Sequence, residues 1–320
     1  MPDPLGNPLT TPLFKQIGLI GLGLIGSSLA RGIRRMNLAE RIIAIDSDPH
    51  VRARVQDLHL ADHVTDDAGA GVQDCDLIIL CIPVGACGTV AQLIGPHLAH
   101  NAIISDVGSV KTSVVKAVRP HLPPHVHFIP AHPVAGTEYS GPDAGFSTLF
   151  HNRWSILTPP EQVDQERLTL LQHFWEGLGA NVEIMTAERH DLVLAVTSHL
   201  PHLIAYNIVG TAADLETVTQ SEVIKFSAGG FRDFTRIAAS DPTMWRDVFL
   251  NNKQAVLEML GRFTEDLALL QRAIRWGDGE TLFKTFTRTR AIRRSIIDLG
   301  QETAAPDFGR RVPEDQTPSP

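Results

Sequence analysis

Short runs rich in apolar and β-branched residues recur through the first half of the chain: QIGLIG (16–21), RIIAID (41–46), CDLIILCIP (75–83), NAIISD (101–106), HVHFIPAH (125–132) and RWSILTP (153–159). Helix-length amphipathic segments separate the early ones, among them SSLARGIRRMNL and VGACGTVAQLIGPHL. Strand runs alternating with helical segments predict βαβ units, and so a parallel sheet with right-handed crossovers and helices on both faces. QERLTLLQHFWEGLGANVEIMTA adds one more helix and strand.

From Ala187 onward the period changes. Apolar residues recur at helical spacing in RHDLVLAVTSHLPHLIAYNIVGTAADL, in GGFRDFTRIAAS, from about Pro242 through Gln271, and in ETLFKTFTRTRAIRRSIIDL, with no period-two alternation. The reading is an α/β domain over 14–186 followed by an all-α domain over 187–300, with Pro-rich, polar tails at 1–13 and 301–320 expected to be mobile. The first long helix of the second domain is apolar almost all round, which predicts packing against neighbours or against a second subunit.

Composition narrows the function. With 320 residues, 43% of them hydrophobic and 20% charged, the chain suits a two-domain globular protein. A net charge of −8 excludes a polyanion as main partner, so no nucleic acid is expected. Arg288, Arg290, Arg293 and Arg294 read as a solvated helix face. No basic segment leads into an apolar run at the start and no long uninterrupted apolar stretch follows, so the expectation is a cytoplasmic protein with no membrane partner. Cys75, Cys81 and Cys87 flank one strand run and read as reduced structural thiols.

GLGLIG (21–26) fits G-x-G-x-x-G between a strand and a helix. Gly21 permits the tight turn, Gly23 lets backbone approach a pyrophosphate, and Gly26 lets helix and strand pack, while Leu24 and Ile25 open the helix whose free N–H groups meet phosphate. Asp46 ends the next strand, twenty residues beyond Gly26, where a carboxylate accepts ribose hydroxyls and repels a 2′-phosphate; NAD is favoured over NADP. The first domain therefore reads as a Rossmann-type dinucleotide-binding domain, with Ile82 and Pro83 after the third strand run completing the cofactor side.

Chemistry belongs at the carboxyl ends of such strands. SDVGSVK (105–111) offers Ser109 and Lys111; AHPVAGTE (131–138) offers His132, Thr137 and Glu138. Oxidation of an alcohol carbon needs an acceptor for the hydroxyl proton, and neutral imidazole suits, which points to His132. The plainer readings are a loop-bonding histidine, an N-cap serine and a surface lysine. In SHLPH (198–202), His199 and His202 face one way on a helix, but no third ligand accompanies them, so no metal is expected. Pro201 costs that helix a backbone hydrogen bond and should bend it.

The series GLGLIGSSLA, DVGSVK, HPVAGTE, SHLPH and GGFRDFTRIAASDPTMW, from about residue 15 to about 300, resembles the prephenate/arogenate dehydrogenase family of tyrosine biosynthesis. The resemblance implies NAD-dependent oxidative decarboxylation of a cyclohexadienol to 4-hydroxyphenylpyruvate or tyrosine. It implies that His132 is the catalytic histidine, that Ser109 holds that ring and the substrate hydroxyl, and that Arg236 binds substrate carboxylate, a role suited to a planar cation. It sets Glu138 in a gate or ionic network with a cation such as Arg236, makes Trp245 an aromatic lining residue, and turns Asp233 toward a neighbouring subunit's site. His202 becomes a polar contact to substrate, and His199 a helper near the nicotinamide or a hydrogen-bonded packing residue. It also implies a homodimer through the helical domain.

Two rivals stand beside this reading. A β-hydroxyacid or 6-phosphogluconate-like dehydrogenase would use a lysine in the long helix, and 187–213 contains none. A non-catalytic NAD-binding regulator would not gather His132 and Arg236 at one cleft. About 15 residues before the first strand leave no room for a chorismate mutase, and 20 after Gly300 none for a regulatory domain; tyrosine inhibition would therefore act at the active site.

Overall fold

The parallel sheet forms in the order β3 (His63–Thr65), β2 (Ala39–Ile45), β1 (Phe14–Ile20), β4 (Leu77–Leu80), β5 (Ile103–Asp106), β6 (His127–Phe128), with the reversal at β1 and β4 expected of a doubly wound dinucleotide fold. The computed structural model describes residues 6–137, 139–219 and 229–298, and side chains outside 215–219 and 296–298. These strands alternate with helices α1 (Leu24–Met36), α2 (Pro49–Asp57), α3 (Ala68–Gly71), α4 (Cys87–Ile94) and α5 (Thr112–Val118). All neighbouring pairs in this sheet run parallel. Strand β3, only three residues long, is too short for its alternation to be read from the sequence.

The run HVHFIPAH is not one strand. It divides between β6 and β7 (Ala131–Pro133), which starts a second sheet ordered β7-β8-β9 with β8 (Trp154–Leu157) and β9 (Asn181–Ile184). Pro130 sits at the division and has no N–H to continue a ladder. The chain is handed across there: Ile129 N still donates to Ile104 O at 2.9 Å, while the carbonyl of Pro130 accepts from Thr158 N at 2.9 Å. This exit lifts His132 off the main sheet and pairs it in register with Ile156.

Apolar side chains pack on both faces of the main sheet. Leu29, Ile33, Phe174 and Trp175, from α1 and from α6 (Gln165–Gly177), cover one face; Cys75, Cys87, Ile94 and Val118 help cover the other. Burial pushes the thiols of Cys75 and Cys87 up to about 11 and about 12, which keeps both as neutral packing groups.

After β9 come α7 (Ala187–Leu194), one turn of π-helix over Ala195–His199, and α8 (Leu200–Thr219). The π turn ends two residues before Pro201, whose missing N–H removes one bond from the regular ladder. Ala187–Asp214 is long and apolar enough by length and composition to cross a membrane; its buried His190, Asp191 and His199 are instead engaged in hydrogen bonds to other elements. Next follow α9 (Gly229–Thr235), a 3-10 turn over Arg236–Ala239, α10 (Pro242–Asn251), α11 (Lys253–Trp276) and α12 (Gly279–Asp298).

The chain divides into two compact units, Met1–Leu257 and Glu258–Pro320. The smaller one holds the rest of α11 and α12, joined at Gly277, with Asp278 accepting from Thr281 N (3.0 Å) and Thr281 Oγ1 (2.7 Å) to start α12. Arg288, Arg290, Arg293 and Arg294 are all exposed on α12.

Candidate active site

The glycine loop closes tightly. Gly21 has φ +92°, and a Cβ there would lie 2.5 Å from the carbonyl oxygen of Cys81; a Cβ on Gly26 would lie 2.0 Å from the carbonyl oxygen of Gly21. Only glycine fits either place. Gly23, the N-cap of α1, has nothing within 4 Å of where its Cβ would be and no side chain capping the helix. That leaves open space in front of free N–H groups, which suits a pyrophosphate. The carboxylate of Asp46 accepts from Leu22 N (2.9 Å) and Asp48 N (3.0 Å), which fixes it beside the loop. Ile82 is half-buried and Pro83 exposed after β4.

His132 is only 7% exposed. Its Nδ1 lies 2.8 Å from Nε2 of His190, and Nδ1 of His190 lies 2.9 Å from Oδ1 of Asp191. The same carboxylate accepts from the backbone N–H groups of Lys111 (2.8 Å, to Oδ1) and Thr112 (2.9 Å, to Oδ2), where α5 begins. Burial, then His190, the Lys111 cation and His199, hold His132 well below the ordinary histidine range. Burial also lowers His190, against the opposing pull of Asp191. Burial alone would raise the Asp191 carboxyl, but hydrogen bonds from His190, Lys111 and Thr112 outweigh it and hold it below the usual range.

Lys111 is not the surface residue its place in a turn suggests. Its side chain is wholly buried, and Nζ lies 2.5 Å from Oδ2 of Asp106 and 2.6 Å from the carbonyl oxygen of Ala131. An ammonium in a core needs an anion and full hydrogen bonding, and the end of β5 supplies the anion.

The SHLPH histidines have separate partners. His199 is fully buried; its Nδ1 lies 3.1 Å from Nδ2 of Asn252, which also donates to the carbonyl of Asp191 at 2.8 Å. Burial pushes His199 down to about 4; its Nε2 has no hydrogen-bond partner of good geometry, although the Ser109 backbone lies close enough to favour the charged ring. His202 stacks on Trp245 with ring centroids 3.6 Å apart, and its Nδ1 lies 2.8 Å from the carbonyl oxygen of Ser198. Burial lowers His202, and the neighbouring Arg236 cation lowers it further. Trp245 is buried with Val110 and Val248, with Tyr206 and Phe249 against them. Tyr206 donates to the carbonyl of Ser240 at 2.7 Å.

Of the residues expected from the sequence, His132, His199, His202, Arg236 and Trp245 thus share one neighbourhood. Ser109 is half-buried on the adjacent loop; among the described residues His190, not Ser109, is what bonds the His132 ring. Thr137 is half-buried and accepts weakly from Tyr139 N (3.3 Å). Asp233 is exposed on α9. Glu138 lies outside the described residues. Sequence reasoning missed His190, Asp191 and Asn252. An aspartate next to a histidine inside an apolar helical run was the available signal, since burial of such a pair requires partners.

Residues 29–184 match the nucleotide-binding domain of prephenate dehydrogenase, and residues 186–288 match its dimerization domain. The cyclohexadienyl dehydrogenase of Zymomonas mobilis is 43% identical over 284 residues, covering 89% of this chain and 97% of that protein. The prephenate dehydrogenase of Bacillus subtilis is 35% identical over 291 residues, covering 91% and 78%. Among solved structures, the Aquifex aeolicus prephenate dehydrogenase in complex with hydroxyphenyl propionate and NAD+ aligns with a TM-score of 0.82 at 34% identity, covering 88% of this chain and 98% of that one. Synechocystis arogenate dehydrogenase aligns with a TM-score of 0.75 at 29% identity, covering 88% and 99%.

Proposed function

The chain belongs to the prephenate dehydrogenase family, and on that premise we propose that it oxidatively decarboxylates prephenate, arogenate or both, with NAD as acceptor. The observation that carries the proposal is His132: a buried imidazole held neutral, with Nδ1 engaged by His190 and Nε2 bonded by no described residue. That leaves one nitrogen lone pair for a substrate hydroxyl.

Gly21, Gly23, Leu24, Ile25, Gly26, Asp46, Ile82 and Pro83 would hold NAD, which when bound accepts a hydride from the hydroxyl-bearing ring carbon. His132 Nε2 takes the hydroxyl proton as the carbon–hydrogen pair departs. The pair freed by loss of CO2 completes the aromatic ring as a phenolate, and His132 returns the proton to its oxygen. Arg236, beside His202, binds a substrate carboxylate; His202, Trp245 and Thr137 line the ring's surroundings, and Glu138 belongs to the same loop as His132. Ser109 serves the hydroxyl from the β5–α5 loop, and His199 braces that wall through Asn252.

Preference for NAD over NADP rests on the Asp46 carboxylate, fixed beside the loop where a 2′-phosphate would meet its charge. Domains over 14–186 and 187–300 and a homodimer through the helical one follow the same reading; exposed Leu192, Val193 and Val196, within about one turn of each other, and the adjacent pair Ile208 and Val209 support it, because clustered apolar exposure on a helix suits a partner face. A cytoplasmic enzyme is the accompanying proposal. Steady-state NADH formation with prephenate and with arogenate tests the function directly; no turnover with either would overturn it.

A further inference from the structure

We propose that His190 and Asp191 are positioning residues that set the ring tautomer of His132, and that Asp191 holds the Ser109 loop in register with that ring. The inference rests on His132 being the proton acceptor. It follows from counting donors along a fixed chain of contacts.

Backbone N–H groups can only donate. Lys111 N and Thr112 N donate to the two different oxygens of Asp191, at 2.8 and 2.9 Å, and two fixed backbone donors favour the ionised carboxylate, whose lone pairs take them and a third bond together. Oδ1 also faces His190 Nδ1 at 2.9 Å, so that nitrogen must carry a proton. In a neutral ring the other nitrogen, Nε2, is then an acceptor. It faces His132 Nδ1 at 2.8 Å, which must in turn carry the proton. The one lone pair left is Nε2 of His132, the form a base requires. Reversing the chain would need a protonated Asp191, the form that two backbone N–H donors fixed on its oxygens disfavour. Burial keeps both rings neutral near neutral pH, as the count requires.

Asp191 also joins three parts of the molecule. Its carboxylate seats Lys111, the N-cap of α5 two residues after Ser109, its neighbour His190 reaches β7, and its carbonyl accepts from Asn252 at the end of α10. A shift of this one side chain moves the base and the serine loop together, and small misplacements of reacting groups are costly.

Ring-nitrogen NMR of the full-length enzyme with isotope-labelled histidine, with His132 assigned by its absence in His132→Asn, reads the tautomer without perturbing the relay. A proton on Nδ1 is expected; a proton on Nε2 at neutral pH overturns the proposal. Two variants give the kinetic counterpart. His190→Leu removes the acceptor, and should lower kcat by roughly 10- to 100-fold with KM little changed. His190→Gln can offer its amide oxygen to His132 Nδ1, and should recover most of that loss. Equal kcat in the Leu and Gln variants overturns the relay. If instead His132→Asn itself retains turnover, the base assignment fails, a result distinct from either.

Discussion

The ammonium of Lys111 lies 2.5 Å from the carboxylate of Asp106, and both side chains are wholly buried. The same ammonium holds the carbonyl of Ala131, the residue before His132, at 2.6 Å. One cation therefore ties the end of β5 to the strand that carries the base.

Replacing that lysine tests the tie. Lys111→Met strands Asp106 as an unpaired buried charge and should cost about 3–5 kcal/mol of stability in denaturant unfolding. Combining it with Asp106→Leu removes the stranded charge and should restore part of the loss. An unchanged midpoint in the single variant would mean the pair contributes nothing to the fold.

His132 sets the acid limb of activity. The folded-state value is pushed below the ordinary 6.5 by burial, with His190, the Lys111 cation and His199 adding to it. The neutral ring is the active form, so kcat/KM should be full at neutral pH and fall only when pH drops through a midpoint below 6.5. His132→Asn should cut kcat by about 10²–10⁴-fold with modest change in substrate binding. A midpoint above the ordinary value would contradict the environment described.

Three buried histidines also make the fold acid-sensitive. His132, His190 and His199 have folded values below that of the unfolded chain, and His199 is held at about 4. Above pH 6.5 both states leave these rings neutral, so stability there is undiminished; below it the unfolded chain binds protons the folded one refuses, and stability falls as pH drops. The Tm measured from pH 7 down to 4.5 should decline over that span, and less steeply in His199→Gln. Parallel curves for the two proteins would remove His199 from the account.

Arg236→Gln should chiefly raise KM for substrate, by roughly 10- to 100-fold, because a charge-assisted carboxylate contact is lost in ground and transition states alike. If kcat falls instead and KM stays, the carboxylate is held elsewhere.

Asp46→Ser removes the charge beside the glycine loop and should raise NADP use relative to NAD. The ratio of kcat/KM for the two cofactors measures it, and an unaltered ratio would assign the preference to other groups.

What could be read from the sequence was local. The glycine loop, Asp46 and the change from strand alternation to helical period are patterns within twenty or so residues, and the structure places them as read. His132 stood out because a strand end is where such folds act. Pro130 was visible, but not that it sends the chain into a second sheet. The partners of His132 are different in kind: His190 lies 58 positions away, and Asp191 meets Lys111 across 80, contacts that only tertiary packing creates. Lys111 looked solvated because a lysine in a turn usually is; its burial depends on Asp106 standing five residues earlier at a strand end.

The π turn explains why the long helix reads as apolar almost all round. Along it the buried positions come in pairs, His190 and Asp191, Leu194 and Ala195, then His199 and Leu200: a step of four, then a step of five. At about 100° per residue an unbroken α-helix would carry His199 to the side opposite His190, and the wider turn withholds roughly one residue's rotation. The inward face thus changes phase part-way along a single rod. A hydrophobic stripe counted at one constant period smears across that change, and two histidine sites that arithmetic would assign to opposite sides of the helix serve the same wall.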